Sequence, residues 1–169
     1  MIESINYHPI GVIHTGHTDP AKTPIQPRYT ADHPGAAGRV EILDAYAAGM
    51  DDLEGFSHVI LLYHFHQAGE ARLRVKPYLD DTERGIFATR APCRPNPIGL
   101  SVVRLLRREG TTLYLEDRDI LDGTPLLDIK PYVGRFDGRQ TTRNGWQDGI
   151  DEPTAERLGR RLNPGKSGS

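Results

Sequence analysis

Ile98-Gly-Leu-Ser-Val-Val-Arg-Leu-Leu-Arg-Arg-Glu-Gly-Thr-Thr-Leu-Tyr-Leu-Glu116 is the stretch that decides the fold. Residues 98–108 carry Leu100, Val102 and Leu105 among their apolar positions, Glu109-Gly-Thr111 reads as a turn, and residues 112–116 pair back as a hairpin partner. Upstream, residues 56–66 form the strongest strand, with Val59-Ile-Leu-Leu-Tyr63 as a buried run. Residues 7–14, 38–43, 73–75 and 86–89 read as further short strands. Residues 119–123 lead through a turn into the alternating segment 126–130. Residues 44–55, with Tyr46, Met50 and Leu53 apolar and Gly55 as a stop, predict a short helix, and residues 152–162 a late amphipathic one. Residues 22–38, rich in Pro, Gly, Thr and His, read as a long loop, and residues from Asn163 onward as a frayed tail. Many closely spaced strands with few helices predict a mainly β chain: a single antiparallel β-barrel with one or two short helices. No strand–helix alternation is present, which argues against a Rossmann-like fold. The expected organisation is a barrel domain over residues 1–140 and a C-terminal extension over residues 141–169.

A chain of 169 residues is long enough to bury a core without staples. Cys93 is its only cysteine, so no internal disulfide forms and a reducing compartment fits. No apolar run approaches the ~18–20 residues of a membrane span. The first residues lack the basic-then-apolar plan of a signal peptide. A soluble, cytoplasmic protein without a membrane partner is the expectation. The net charge of −2 does not by itself suggest nucleic acid. Residues 72–108, however, hold nine basic and three acidic residues, either a local anion-facing surface or a solvated face with scattered arginines.

Residues 87–101 read as a site. Pro92, Pro95 and Pro97 stiffen this segment before anything binds, and Arg90, Arg94 and Asn96 lie within it. His64 and His66, two apart on a strand, would share one face, a geometry a metal can use, but no carboxylate stands at a supporting spacing, so no metal is expected. Leu121-Asp-Gly-Thr-Pro125 is a turn, and Asp128 and Lys130 alternate with Leu127 and Ile129, which predicts charges on one barrel face. Pro164-Gly-Lys-Ser167 is mis-spaced for a phosphate loop, and Ser57, Ser101 and Cys93 lie in no nucleophile–base motif.

Pro9-Ile-Gly-Val-Ile13, Gln26-Pro27, Leu53-Glu-Gly-Phe-Ser-His58, Phe87-Ala-Thr-Arg90, Arg94-Pro-Asn-Pro-Ile-Gly99 and Asp122-Gly-Thr-Pro-Leu-Leu-Asp-Ile-Lys-Pro-Tyr132 resemble the TsaA-like family. Its best-understood members are tRNA (adenine(37)-N6)-methyltransferases of the TrmO type. The resemblance implies a β-barrel that binds S-adenosyl-L-methionine (SAM) and acts as a homodimer. It implies methyl transfer to N6 of N6-threonylcarbamoyladenosine at position 37 of threonine tRNA. By the same resemblance Pro27, Arg28 and Tyr29 lie in a cofactor loop. His66, Gln67, Arg90, Leu100, Leu121, Asp122, Gly123 and Thr124 are the remaining cofactor residues. Some members carry a further C-terminal domain. This chain, ending about 37 residues after Tyr132, resembles the short single-domain form.

Methyl transfer from a sulfonium needs mainly alignment and exclusion of water. His66, Asp122 and Asp128 are the groups that could take the N6 proton, and the sequence does not rank them. Arg94, Asn96 and Lys130 are the expected contacts to phosphate or to the threonyl carboxylate. Tyr29, Tyr63, Phe65 and Tyr132 are available to stack on bases, with core packing the expected role of Tyr63 and Phe65. The rivals are a SAM-binding module or regulator without tRNA activity, and a metal-dependent barrel enzyme using His64 and His66.

Overall fold

Alternating burial runs along the strands and sets which residues fill the interior. In β2 (Gly38–Ile42) Gly38, Val40 and Ile42 are buried while Arg39 and Glu41 are exposed. In β7 (Thr112–Glu116) Leu113 and Leu115 point inward. The structure, a computed structural model, describes residues 4–21, 23, 38–116 and 119–159. The other long elements are β1 (Gly11–His14), β3 (His58–His64), β6 (Ile98–Glu109) and β8 (Thr124–Pro131).

These strands close into an antiparallel barrel in the order β1-β2-β7-β6-β3-β8, with β8 returning to β1. The β6–β7 hairpin turns on Gly110, whose φ of +59° suits glycine. Ile13, Val40, Val59, Leu61, Val103, Leu113 and Leu126 are essentially inaccessible and form the core. Each such side chain contributes about 1.5–3 kcal/mol by leaving water. A separate small hairpin pairs β4 (Arg74–Val75) with β5 (Arg84–Gly85).

Closure leaves little room at two glycines. A Cβ on Gly11 would meet the Glu41 carbonyl of β2, and one on Gly99 would overlap the Tyr63 ring across the β3–β6 pair. Gly99→Ala is therefore expected to push Tyr63 aside and to destabilise the barrel by about 1–3 kcal/mol. A urea titration checks this, and an unchanged midpoint would contradict it.

Several expectations are corrected. Residues 44–55 form not one helix but two 3-10 turns, Asp44–Met50 and Leu53–Gly55. Neither has a side-chain N-cap, and Asp52 between them is left-handed at φ 66°. Residues 86–88 form a 3-10 turn rather than a strand, and the β4 partner is Arg84–Gly85. The first strand begins at Gly11, after Pro9. A register shift opposite Leu62 and Tyr63 breaks the parity of β8, so that both Leu126 and Ile129 pack on the core. Asp128 and Lys130 thus lie on the outer surface, 2.7 Å apart as an ion pair, and no charged face lines the interior there.

After β8 come α1 (Gly134–Asp137), a 3-10 turn at Gly145–Gly149, and α2 (Glu152–Gly159). Only the last was expected. Its residues beyond 159, the tail, and most of the long loop after β1 lie outside the described residues. Among the described residues no helix is long and apolar enough to cross a membrane.

Candidate functional site

Antiparallel closure carries the end of β1, the end of β3 and the starts of β6 and β8 to one rim of the barrel. The turn Leu121–Thr124 is tied there from both sides. Gly123, at φ +74°, donates its N–H to the Ile13 carbonyl (2.9 Å), and the Asp122 N–H donates to the His17 carbonyl (2.8 Å). In return Thr15 N donates to Asp122 Oδ1 (2.9 Å) and Thr15 Oγ1 to the Ile120 carbonyl (2.8 Å). His14 stands between two carboxylates, 3.6 Å from Asp122 Oδ1 and 3.4 Å from Glu41 Oε2. His14, Thr15, Gly16, Arg39 and Asp122 line a polar hollow of about 400 Å³.

The end of β3 joins this turn. Thr124, 2% exposed, donates its hydroxyl to the Leu121 carbonyl (2.8 Å) and lies 3.2 Å from His66 Nδ1. Gln67 Nε2 stands 3.3 Å from His66 Nε2. The Phe65 N–H donates to the Pro97 carbonyl (2.8 Å), anchoring the proline-rich segment to the same rim. The strand ends at His64, and His66 follows in a turn, so the two histidines do not share a strand face as the spacing predicted. Among the described residues no group of three His, Cys, Asp or Glu could hold a metal.

Below the rim runs a polar chain that sequence reasoning missed. Tyr63 Oη lies 3.0 Å from Ser101 Oγ, and Ser101 donates to Asp119 Oδ1 at 2.8 Å. Burial, only partly offset by the Ser101 bond, pushes the Asp119 carboxyl up to about 7. Burial also raises the Tyr63 phenol, with the Asp119 charge acting in the same direction. Arg90, exposed in the proline-rich segment, has a field that reaches both groups. The one signal in the sequence was Gly99 beside Ser101: a missing side chain and a polar one at successive inward positions of a β-strand.

The proline-rich segment is braced from within. Arg94 Nη1 donates to the carbonyls of Thr89 (2.7 Å) and Ile86 (3.3 Å), and Thr89 Oγ1 also donates to the Ile86 carbonyl (2.9 Å). Trp146, from beyond the barrel, donates its Nε1–H to the Ala88 carbonyl (2.8 Å), with the Arg84 guanidinium 5.8 Å from the centre of its ring. Phe87, Ile98 and Leu100 are exposed apolar residues beside these polar groups.

The rim thus gathers His66, Gln67, Leu121, Asp122, Gly123 and Thr124, with Arg90, Leu100 and Asn96 in or next to the segment docked on it. Pro27, Arg28 and Tyr29 lie outside the described residues. Asp128 and Lys130 are not brought to this rim. Lys130 pairs with Ile60 near the other end of β3, six residues from Thr124, a distance of about 20 Å along the strand. Asp128 is accordingly remote from the site where a proton acceptor was expected.

Residues 12–138 match the family model described as the tRNA-methyltransferase O N-terminal domain. The chain is 53% identical over 142 residues to a Pyrococcus abyssi protein named "Probable S-adenosyl-L-methionine-binding protein", covering 84% of this chain and 76% of that one. It is 45% identical over 91 residues to the human tRNA (adenine(37)-N6)-methyltransferase, covering 52% of this chain but only 21% of the human protein. Its fold is similar to the crystal structure of TrmO from Pseudomonas aeruginosa, with a TM-score of 0.74 at 34% identity, over 97% of this chain and 86% of that chain.

Proposed function

The chain belongs to the family of the tRNA-methyltransferase O N-terminal domain, and on that premise we propose that it transfers a methyl group from SAM to an adenine of tRNA. The finer reading is that the acceptor is N6 of N6-threonylcarbamoyladenosine at position 37, in threonine tRNA, and that the protein works as a homodimer. The observation that carries the proposal is the rim itself: the Leu121–Thr124 turn, His66 and Gln67 are bonded together there, and the exposed Phe87, Arg90 and Leu100 lie in or next to the segment anchored to it. That donor set suits a nucleoside bearing a zwitterionic amino acid. Apolar surface accepts the adenine, a carboxylate such as Asp122 accepts hydroxyl hydrogens, and a guanidinium suits a carboxylate.

When bound, SAM supplies a methyl on a positively charged sulfur. The residues of this chain hold and orient. The Leu121–Thr124 turn is fixed by its bonds to β1, and His66 is oriented by Thr124 and Gln67. Water is excluded below the rim by the packed core. For the N6 proton, His66 and Asp122 remain the rim groups within the proposal.

Arg94 is given a supporting role by its bonds. Because Nη1 holds carbonyls immediately before Arg90, Arg94→Ala is expected to loosen the segment and lower SAM affinity and tRNA methylation together, each about tenfold. Loss of methylation with SAM affinity intact would instead make Arg94 a direct tRNA contact. Calorimetry and a methylation assay on one preparation separate these outcomes.

The test of function is mass spectrometry of tRNA nucleosides from cells with and without the gene, paired with labelled SAM and tRNA from the deletion strain. Methylated N6-threonylcarbamoyladenosine that vanishes with the gene and returns with the protein supports the proposal. The name of the P. abyssi relative favours one alternative, a SAM-binding module. Measurable SAM binding with no label in tRNA would establish that reading instead. Sedimentation tests the homodimer.

A further inference from the structure

Among the described residues, Asp119, just below the rim, is the carboxyl that burial pushes above the ordinary carboxylate range. It sits two residues before Leu121 and accepts a hydrogen bond from Ser101, the neighbour of Leu100. Ser101 is itself 2% exposed and stands 3.0 Å from the hydroxyl of Tyr63, which is equally enclosed. The carboxyl, half-buried, is thus fixed by a bonded chain two residues from the turn proposed to wall the cofactor, where a charge interacts more strongly than in water.

The groups facing it can be named by element. From β3 comes Tyr63, whose phenol stays protonated because burial and the Asp119 charge oppose its ionisation. From β6 comes neutral Ser101, and from the proline-rich segment comes Arg90, whose charge favours the carboxylate but acts after burial and the hydrogen bonds in size. Among the described residues of the rim, the other ionisable groups are Asp122, in the turn itself, and His66, bonded to Thr124. A half-buried carboxylate there gains from a second cation arriving beside it.

We infer that Asp119 is the counter-charge for the sulfonium of the cofactor, and that it lets the site tell SAM from its demethylated product, S-adenosyl-L-homocysteine. The inference rests on the proposed SAM binding and goes beyond it. The two ligands differ at sulfur by one methyl and one positive charge. A fixed carboxylate attracts the cation and has no such hold on the neutral thioether. Binding of SAM then draws Asp119 into its ionised form and releases a proton wherever the free protein held one. After methyl transfer the attraction vanishes, which favours product release.

Isothermal titration calorimetry of the full chain with each ligand, between pH 6 and 8 and in buffers of different ionisation enthalpy, tests this. The free carboxyl titrates near 7, so the affinity for SAM is expected to rise about tenfold from pH 6 to pH 8, with proton release at the acid end. The affinity for S-adenosyl-L-homocysteine is expected to lack that rise. Asp119→Asn should abolish the difference in slope and cost at least tenfold in SAM affinity at pH 8 while leaving the product's affinity nearly unchanged. Ser101→Ala, which keeps the carboxyl but removes a bond to its ionised form, should move the midpoint of the SAM profile to higher pH. This second variant serves if the asparagine one fails to fold. SAM binding with a slope equal to that of the product, or unchanged in both variants, overturns the inference alone. Failure of the wild type to bind SAM at any pH overturns the proposed function together with it.

Discussion

Asp119→Asn is expected to stabilise the folded chain most at pH 8 and least at acid pH. The carboxyl titrates near 7 in the fold against an ordinary value of 3.8. Between those values the folded state holds a proton that the unfolded chain has released, so stability falls as pH rises through this window and levels off above about 7. About three pKa units correspond to an upper bound of about 4 kcal/mol for holding the ionised group above pH 7. The advantage of the asparagine variant should therefore be up to about 2.6 kcal/mol larger at pH 8 than at pH 5. Urea titrations of both proteins at the two pH values measure it. An advantage that does not change with pH would mean that the carboxyl is not forced to ionise in the fold. A gain in stability coupled to a loss of SAM discrimination is the pattern of a site that stores unfavourable burial for use on a ligand.

The second large effect is expected at Asp122. Its carboxylate accepts the Thr15 N–H and stands 3.6 Å from His14, so it ties the chain leaving β1 to the rim turn. Asp122→Ala removes a bond to a charged acceptor, worth about 1.5–3 kcal/mol, and frees the turn on one side. SAM affinity is expected to fall at least tenfold, and the melting temperature by several degrees. Asp122→Asn keeps an acceptor oxygen, so it should recover most of the stability. Its SAM affinity then reports the charge alone. If both variants bind SAM as the wild type does, the turn is not part of the cofactor site.

The barrel was legible because its decisive signals are local. The hairpin of residues 98–116 announces itself by its turn and by the apolar positions on either side, and the run around Leu61 can only be a core strand. The register shifts were not legible. One extra residue in a strand reverses inside and outside for everything after it, and nothing in Leu127-Asp-Ile-Lys130 marks the place. Strict alternation from the buried Leu126 places Asp128 and Lys130 on the inward face, whereas they pair outside, and Lys130 lies far from the rim. The 3-10 turns replacing the helix of residues 44–55 depend on a left-handed Asp52, a conformation aspartate tolerates but does not dictate. Most of the rim turn could be read as a motif. The chain Tyr63–Ser101–Asp119 could not, because its members lie 38 and 18 residues apart and meet only when β3 pairs with β6 and the segment after β7 comes back to Ser101.

Trp146 is the sole tryptophan of the chain, and its indole N–H is bonded to the Ala88 carbonyl two residues before Arg90. The protein thereby carries its own optical gauge. Excited at wavelengths that only indole absorbs, it emits from one position, at the edge of the segment that ligands are proposed to grip. Rearrangement of that segment would strain or free the indole bond and shift the emission, with no dye attached and no second tryptophan to dilute the signal.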